Sequence, residues 1–291
     1  MSISPVAHHW TGPDGNTLVG DVWGPEHPQV VLLHGGGQTR RAWGRTGEHF
    51  AERGLTTAAI DLRGHGESSW DPRGRYAFPD HARDLTTLRQ NVFARPVILV
   101  GASLGGVTSL KSAQVDPDGI AAVVLVDITP TMQLTGVDKI VGFMRSNPDG
   151  FATLEEAAYA IARYQPHRKR HATPAGLRRN LRHDPETDRW VWHWDPRTLN
   201  FANPPWYAKQ TRDMVAGTRA LDAAGRPVQV VRGELSDVIL PSDVDDFLAL
   251  GAHTRHVTVV GARHMVAGDA NEVFLQMIFK ALGEVDPRLV A

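Results

Sequence analysis

Pro96-Val97-Ile98-Leu99-Val100-Gly101-Ala102-Ser103-Leu104-Gly105-Gly106, residues 96–106, is the stretch whose reading decides the fold. Its first half is a short apolar run of the kind that forms a strand buried on both faces. The residues after it place Leu104, Val107, Leu110 and Ala113 at helical spacing. Between the two stands G-x-S-x-G, so strand, sharp turn and helix follow one another with a serine at the apex. That is the pattern of a nucleophile elbow. The turn holds the serine in a strained backbone conformation with its hydroxyl exposed. Strand and helix approach so closely that the residues two before and two after must be small, which Gly101 and Gly105 satisfy.

Working outward, further apolar runs read as strands: Val30–Leu33, Leu55–Ile60, Ala121–Val126, Val228–Val231 and His256–Val260, with Val19–Trp23 as an antiparallel edge after the Asp14-Gly15 turn. Helical patterns separate them at Asp80–Ala94, Ser103–Val115, Pro241–Leu250 and Asn271–Leu282. Alternating strand and helix implies a doubly wound, mostly parallel α/β sheet.

The alternation breaks between Thr129 and Arg226. Amphipathic helices are expected at Val137–Met144, Leu154–Tyr164 and Tyr207–Leu221, and a short basic one at Ala175–Leu181. An extended Trp190-Val191-Trp192-His193-Trp194 lies between Asp-Pro turns. This block is expected to be a cap over the mouth of the sheet. The chain then divides into a first core part, 1–129, a cap insertion, 130–226, and a second core part, 227–291.

A serine hydroxyl needs a base, and the base needs an orienting acid. Of the 14 histidines, His264 is the one that follows the last strand, in Gly261-Ala262-Arg263-His264-Met265, where the general base belongs. The acid has two serious candidates at the carboxyl edge of the sheet. Asp237 follows Val228–Val231 on a loop long enough to reach His264, and is favoured. Asp127 follows Ala121–Val126 directly and reads as a cap or brace. Glu234 is a weaker third option. An oxyanion hole needs two backbone N–H groups. Leu104 supplies one. The loop His34-Gly35-Gly36-Gly37-Gln38 supplies the other, with Gly36 favoured over Gly37. The glycine run lacks the spacing of a phosphate-binding loop.

Bulk properties exclude other classes. The chain has 291 residues, no cysteine and a formal charge of −1. Disulfides, thiolate metal sites and cysteine nucleophiles are thereby excluded, and no overall field draws nucleic acid or an acidic membrane. The N-terminus does not read as a secretory leader, and no apolar run is long enough to span a bilayer. The expectation is a cytoplasmic protein with a small-molecule substrate, needing no metal or cofactor; a homodimer is left open.

Together these residues resemble the α/β-hydrolase superfamily over roughly Leu18 to Leu282. His34-Gly35-Gly36-Gly37 is similar to its oxyanion loop. Asp61-Leu62-Arg63-Gly64-His65-Gly66-Glu67-Ser68 is similar to its D-x-R-G-x-G-x-S segment, which is usually structural. The resemblance is closest to capped esterases and to the non-haem haloperoxidase-like and epoxide-hydrolase-like groups. It implies an eight-stranded sheet with an inserted, largely helical cap. Epoxide hydrolases and haloalkane dehalogenases of this fold carry aspartate at the elbow, whereas a serine there, Ser103, would form an acyl-enzyme and suit esters, lactones, thioesters and amides. Two departures stand out: Ala102 replaces a larger residue, and Arg263 stands where glycine is usual before the histidine.

The cap is aromatic. Trp192 and Trp194, with Phe143 and Met144, are candidates for an apolar substrate wall, although aromatic residues also glue a cap to its body. Trp43, beside the glycine loop, is a candidate for either role. The basic run His167-Arg168-Lys169-Arg170-His171 reads as a solvated face. The expected activity is hydrolysis of a small apolar carboxylic ester or lactone by Ser103, Asp237 and His264. Perhydrolysis, C–C bond hydrolysis with the same triad, and slow-turnover ligand reception are the alternatives.

Overall fold

A computed structural model describes residues 3–25, 27–93, 96–164, 173–201, 205–264 and 272–285. The basic run 167–171 lies outside the described residues, as does Met265.

The central sheet is built from β1 (Val6–Thr11), β2 (Thr17–Trp23), β3 (Val30–Leu33), β4 (Thr57–Ile60), β5 (Val97–Ala102), β6 (Ile120–Val126), β9 (Val228–Gly233) and β10 (Thr254–Val259). A hairpin, β7 (Leu181–Asp184) with β8 (Arg189–Trp192), forms a separate two-stranded sheet. The main sheet runs in the order β1-β2-β4-β3-β5-β6-β9-β10. Its first three strands pair antiparallel and the rest pair parallel.

The helices are α1 (Gly44–Ala51), α2 (Phe78–Asn91), α3 (Leu104–Ala113), α4 (Leu134–Arg145), α5 (Leu154–Tyr164), α6 (Pro174–Leu177), α7 (Pro205–Ala223), α8 (Pro241–Leu248) and α9 (Glu272–Val285). Side chains of the inner strands alternate between two cores, as the period of 2 requires. Val31, Leu33, Leu99 and Leu125 pack with Leu85 of α2, Leu110 of α3 and Met214 of α7. Leu32, Val100 and Val124 pack on the other face with Phe50 of α1 and Phe274 and Ile278 of α9. This is the doubly wound arrangement. No described helix is long and apolar enough to cross a membrane.

A third core, centred on Phe143, Phe151, Ile161, Trp192 and Trp194, belongs to the inserted block. The block is not all of one kind: α7 sends Met214 and Leu221 into the body's core. The helix expected at Ala175–Leu181 stops at Leu177. Leu181 instead opens β7 and pairs with Trp192.

Candidate active site

The reacting edge of the sheet is set by backbone geometry. Ser103 sits between β5 and α3 at φ 43° and ψ −109°, a region sparsely populated by any residue with a side chain. The close approach that the glycines permit is real. A Cβ on Gly101 would run into the Gly105 carbonyl, and one on Gly105 into the Leu33 carbonyl. Ser103 and Asp127 are two of the three non-glycine residues with positive φ among the described residues. Both therefore hold strain where β5 and β6 end.

His264, buried at 8 % exposure, is held by Asp127. The imidazole Nδ1 lies 2.7 Å from Asp127 Oδ2. The same carboxylate accepts the Gly233 N–H at 2.8 Å on Oδ1 and the Ser236 hydroxyl at 2.7 Å on Oδ2. Asp127 is fully buried, and these three donors from β9, the loop after it and the histidine satisfy it. An acceptor-only carboxylate fixes Nδ1 as the protonated nitrogen, which leaves Nε2 with its lone pair. His264 and Ser103 line one pocket.

The expectation for the acid is therefore corrected. Asp237 is not beside His264. Its carboxylate is half exposed and faces Lys139 Nζ at 3.5 Å. The loop turns so that Ser236, one residue earlier, points inward. Its Oγ also accepts the Val238 and Ile239 N–H groups at 3.2 and 3.3 Å. Ser236 is a site residue that sequence reasoning missed. Glu234 is turned to the Gly261 N–H, at 2.8 Å, and away from the imidazole.

The glycine loop separates its N–H groups by use. Gly35 donates to Gln38 Oε1 at 3.0 Å and Gly37 to His65 Nε2 at 3.4 Å. Gly36 lines the pocket, and its N–H has no protein partner among the described residues. Leu104 also lines the pocket and opens α3, so its N–H is one of the groups a helix start leaves unpaired. Gly36 and Leu104 thus present donors to one space.

Histidines brace this loop. His34 Nδ1 donates to the Gly35 carbonyl at 2.8 Å, and its Nε2 accepts the Leu62 N–H at 3.0 Å. His65 Nδ1 donates to the Arg63 carbonyl at 3.1 Å while Nε2 accepts from Gly37. Both patterns require neutral rings. Burial, above all, lowers His34 to about 4 and His65 to about 3. Asp61 accepts the Arg40 N–H at 2.6 Å and the Glu67 N–H at 2.9 Å, and pairs with the Arg40 guanidinium. Arg63 is forked onto Asp84 at 2.5 and 2.6 Å. The segment Asp61–Ser68 is accordingly a scaffold, with His65 in the pocket wall.

The pocket is a cavity of about 90 Å³ that opens to solvent at its mouth. Its wall is largely apolar, with Val107, Ile128, Met132, Ile140, Met144 and Leu199 prominent. Of the expected wall residues, Met144 is in place. Trp43, Phe143, Trp192 and Trp194 are not among the lining residues. Trp43 is fully buried in the core with Trp23 and Phe50. Phe143 meets Trp192 edge-on and Trp192 stacks on Trp194 in the core of the inserted block. Their size suited them to filling a small core, and only Trp206 among the tryptophans reaches the wall.

The profile of the alpha/beta hydrolase fold family matches residues 28–270. Esterase Rv0045c of Mycobacterium tuberculosis is 28 % identical over 267 residues, covering 88 % of this chain and 83 % of its own. Its solved structure superimposes with a TM-score of 0.73 over 96 % of this chain and 92 % of that one, at 25 % identity. The 3-hydroxybutyrate-oligomer hydrolase of Cupriavidus necator is 27 % identical over 257 residues, 83 % of this chain and 85 % of its own. The structure of E-2-(acetamidomethylene)succinate hydrolase aligns with a TM-score of 0.79 over 97 % of this chain and 98 % of that chain, at 23 % identity, a likeness of fold.

Proposed function

The chain belongs to the alpha/beta hydrolase family, and from that premise we propose that it is a serine hydrolase that cleaves a small, largely apolar carboxylic ester or lactone through an acyl-enzyme. The observation that carries the reading is the buried 2.7 Å contact of His264 Nδ1 with Asp127 in the pocket that Ser103 also lines. His264 Nε2 takes the Ser103 proton as the hydroxyl attacks the carbonyl. The N–H groups of Gly36 and Leu104 receive the developing oxyanion, with the N-terminus of α3 adding its dipole. Asp127 stabilises the imidazolium and keeps the ring oriented. His264 then protonates the leaving alcohol, and water repeats the cycle to free the acid. The apolar wall supports an aliphatic acyl or alcohol group, and the relative named as an esterase supports ester chemistry.

The test is hydrolysis of a p-nitrophenyl ester series of increasing acyl length. Wild type is expected to turn over the short and middle members. Ser103→Ala is expected to lose on the order of 10⁶-fold in kcat while keeping its fold. Folded wild type without activity on the series and on a parallel lactone set would overturn the reading.

A further inference from the structure

The mechanism leaves two buried polar side chains of the pocket wall unused. Most polar lining groups are already engaged. His65 is bonded through both ring nitrogens. The Tyr76 hydroxyl contacts Asp195 and the Asp71 N–H, and the Thr198 hydroxyl donates to the Asp195 carbonyl. His81, on α2, is 2 % exposed, and its Nδ1 is buried without a partner. Gln210, on α7, is 3 % exposed, and its Oε1 is likewise unpartnered. Its Nε2 meets only the thioethers of Met132 and Met214, at 4.0 and 3.7 Å, which are weak acceptors. Both side chains line the cavity.

Unpaired buried polar groups are rare in a folded protein. The orphaned indole N–H groups of Trp43, Trp192 and Trp194 lie away from the cavity, whereas His81 and Gln210 lie in its wall. Burial, with the neighbouring His65 and Arg63, holds His81 well below the usual histidine range, so the ring is neutral; its N–H is taken by the Tyr76 carbonyl, and Nδ1 is left as an acceptor. The Gln210 carboxamide offers both an acceptor, Oε1, and a donor, Nε2, that meets only weak acceptors among the described residues. An aliphatic hydroxyl donates and accepts at once, so it can donate to His81 Nδ1 or Gln210 Oε1 and accept from Gln210 Nε2.

We propose that His81 and Gln210 are specificity residues for a hydroxyl group on the otherwise apolar substrate, making the preferred ester a hydroxylated one. This rests on the serine-hydrolase reading for its site and deepens it by naming the substrate class. A substrate without the hydroxyl leaves both groups unpaired, and sites built in this way discriminate more strongly than apolar ones.

The experiment compares ethyl esters of C4–C6 acids with their singly hydroxylated counterparts, the hydroxyl placed at each chain position in turn. Each is assayed as a substrate of wild type, and as a ligand of Ser103→Ala by calorimetry, an arm independent of turnover. The expected result is a preference of roughly tenfold or more in kcat/KM, and in affinity, for at least one hydroxylated position. His81→Phe and Gln210→Met should each shrink that preference, chiefly through KM. The melting temperature of Gln210→Met should be equal to or above wild type, because an unpaired buried polar group is removed. Wild type that treats each pair alike in both arms overturns the inference even where the plain esters are cleaved. Variants that keep the wild-type ratio overturn it as well. Loss of all ester turnover with hydroxyl-selective binding intact would instead strike the serine-hydrolase reading alone.

Discussion

Asp127 leaves β6 in left-handed backbone, φ 52°, and that single dihedral turns its carboxylate along the sheet edge toward β9 and His264. The consequence is a clean contrast between two aspartates. Asp127→Asn should lower kcat by about 10⁴-fold, since an amide in that place admits the wrong imidazole tautomer. Asp237→Asn should stay within about twofold, because its carboxylate only faces Lys139 at the surface. Steady-state kinetics on one ester decide the matter, and the reverse ranking would return the acid to Asp237. The placement of Ser103 and His264 in one pocket was legible in the sequence because each is tied to a local pattern, the glycine-flanked turn and the loop after the last strand. The carboxylate partner of His264 was not, because two loops at the same sheet edge each carry an aspartate, and side-chain direction depends on a φ that sequence does not display. The neutral histidines add a pH dependence of stability. Their folded values, about 4 for His34 and about 3 for His65, lie below the unfolded value of 6.5. The unfolded chain therefore binds protons first as pH falls. Stability from these sites is whole above pH 6.5 and is lost progressively as pH drops toward 4 and 3, by about 2 kcal/mol per histidine at pH 5. Urea melts from pH 7.5 to 5 should show that decline, and His65→Gln, which cannot take the proton, should flatten it. An unchanged slope in the variant would remove His65 as its source.

Helices α3 and α7 lie against each other at the C-terminal half of α3, and the closeness is set by one residue. A Cβ on Gly217 of α7 would overlap the Leu110 carbonyl of α3. Gly142, inside α4, would meet nothing within 4 Å. The same substitution should thus act with opposite signs. Gly217→Ala should destabilise by about 1–3 kcal/mol through forced separation of the helices. Gly142→Ala should stabilise by about 0.4–1 kcal/mol by restricting the unfolded chain. Thermal melts of the two variants test this, and parallel shifts would contradict it. Legibility at this scale follows how elements are held. Buried strands such as β3, β5 and β6 were plain from their apolar runs, and the expected Leu154–Tyr164 helix matches α5 in its bounds. Strand β1 was missed because it is an edge strand whose residues are mostly exposed, held by its backbone ladder to β2. Helix α1 was missed because Gly44 and Gly47 weaken its helical pattern. Gly47 is there for packing: a Cβ would strike the Trp23 ring.

At the scale of the whole molecule, the loops after β3, β5, β6 and β9 converge on one edge of the sheet, and the inserted block is fastened there by a small polar junction. The Trp194 backbone bridges to His65, and the Asp195 N–H donates to the Gly64 carbonyl at 2.8 Å. The Tyr76 hydroxyl donates to Asp195 Oδ2 at 2.6 Å and accepts the Asp71 N–H at 2.7 Å. Arg197 spans from Asp195 to the Asp71 carbonyl at 3.0 Å. Burial and the bond to Asp195 hold the Tyr76 phenol above the usual tyrosine range, so it remains a donor at any working pH. Tyr76 also lines the pocket, so the junction that fastens the block is part of the wall that shapes the substrate space. Tyr76→Phe removes one hydroxyl that serves two partners and leaves the buried Asp71 N–H without an acceptor. Stability should fall by about 1–3 kcal/mol. KM for the preferred ester should rise several-fold, while kcat stays within about twofold, because Ser103, His264 and Asp127 are untouched. Limited proteolysis should cut the inserted block faster in the variant than in wild type. A fall in kcat at unchanged KM, with proteolysis as in wild type, would separate this junction from the substrate space and make Tyr76 part of the chemistry.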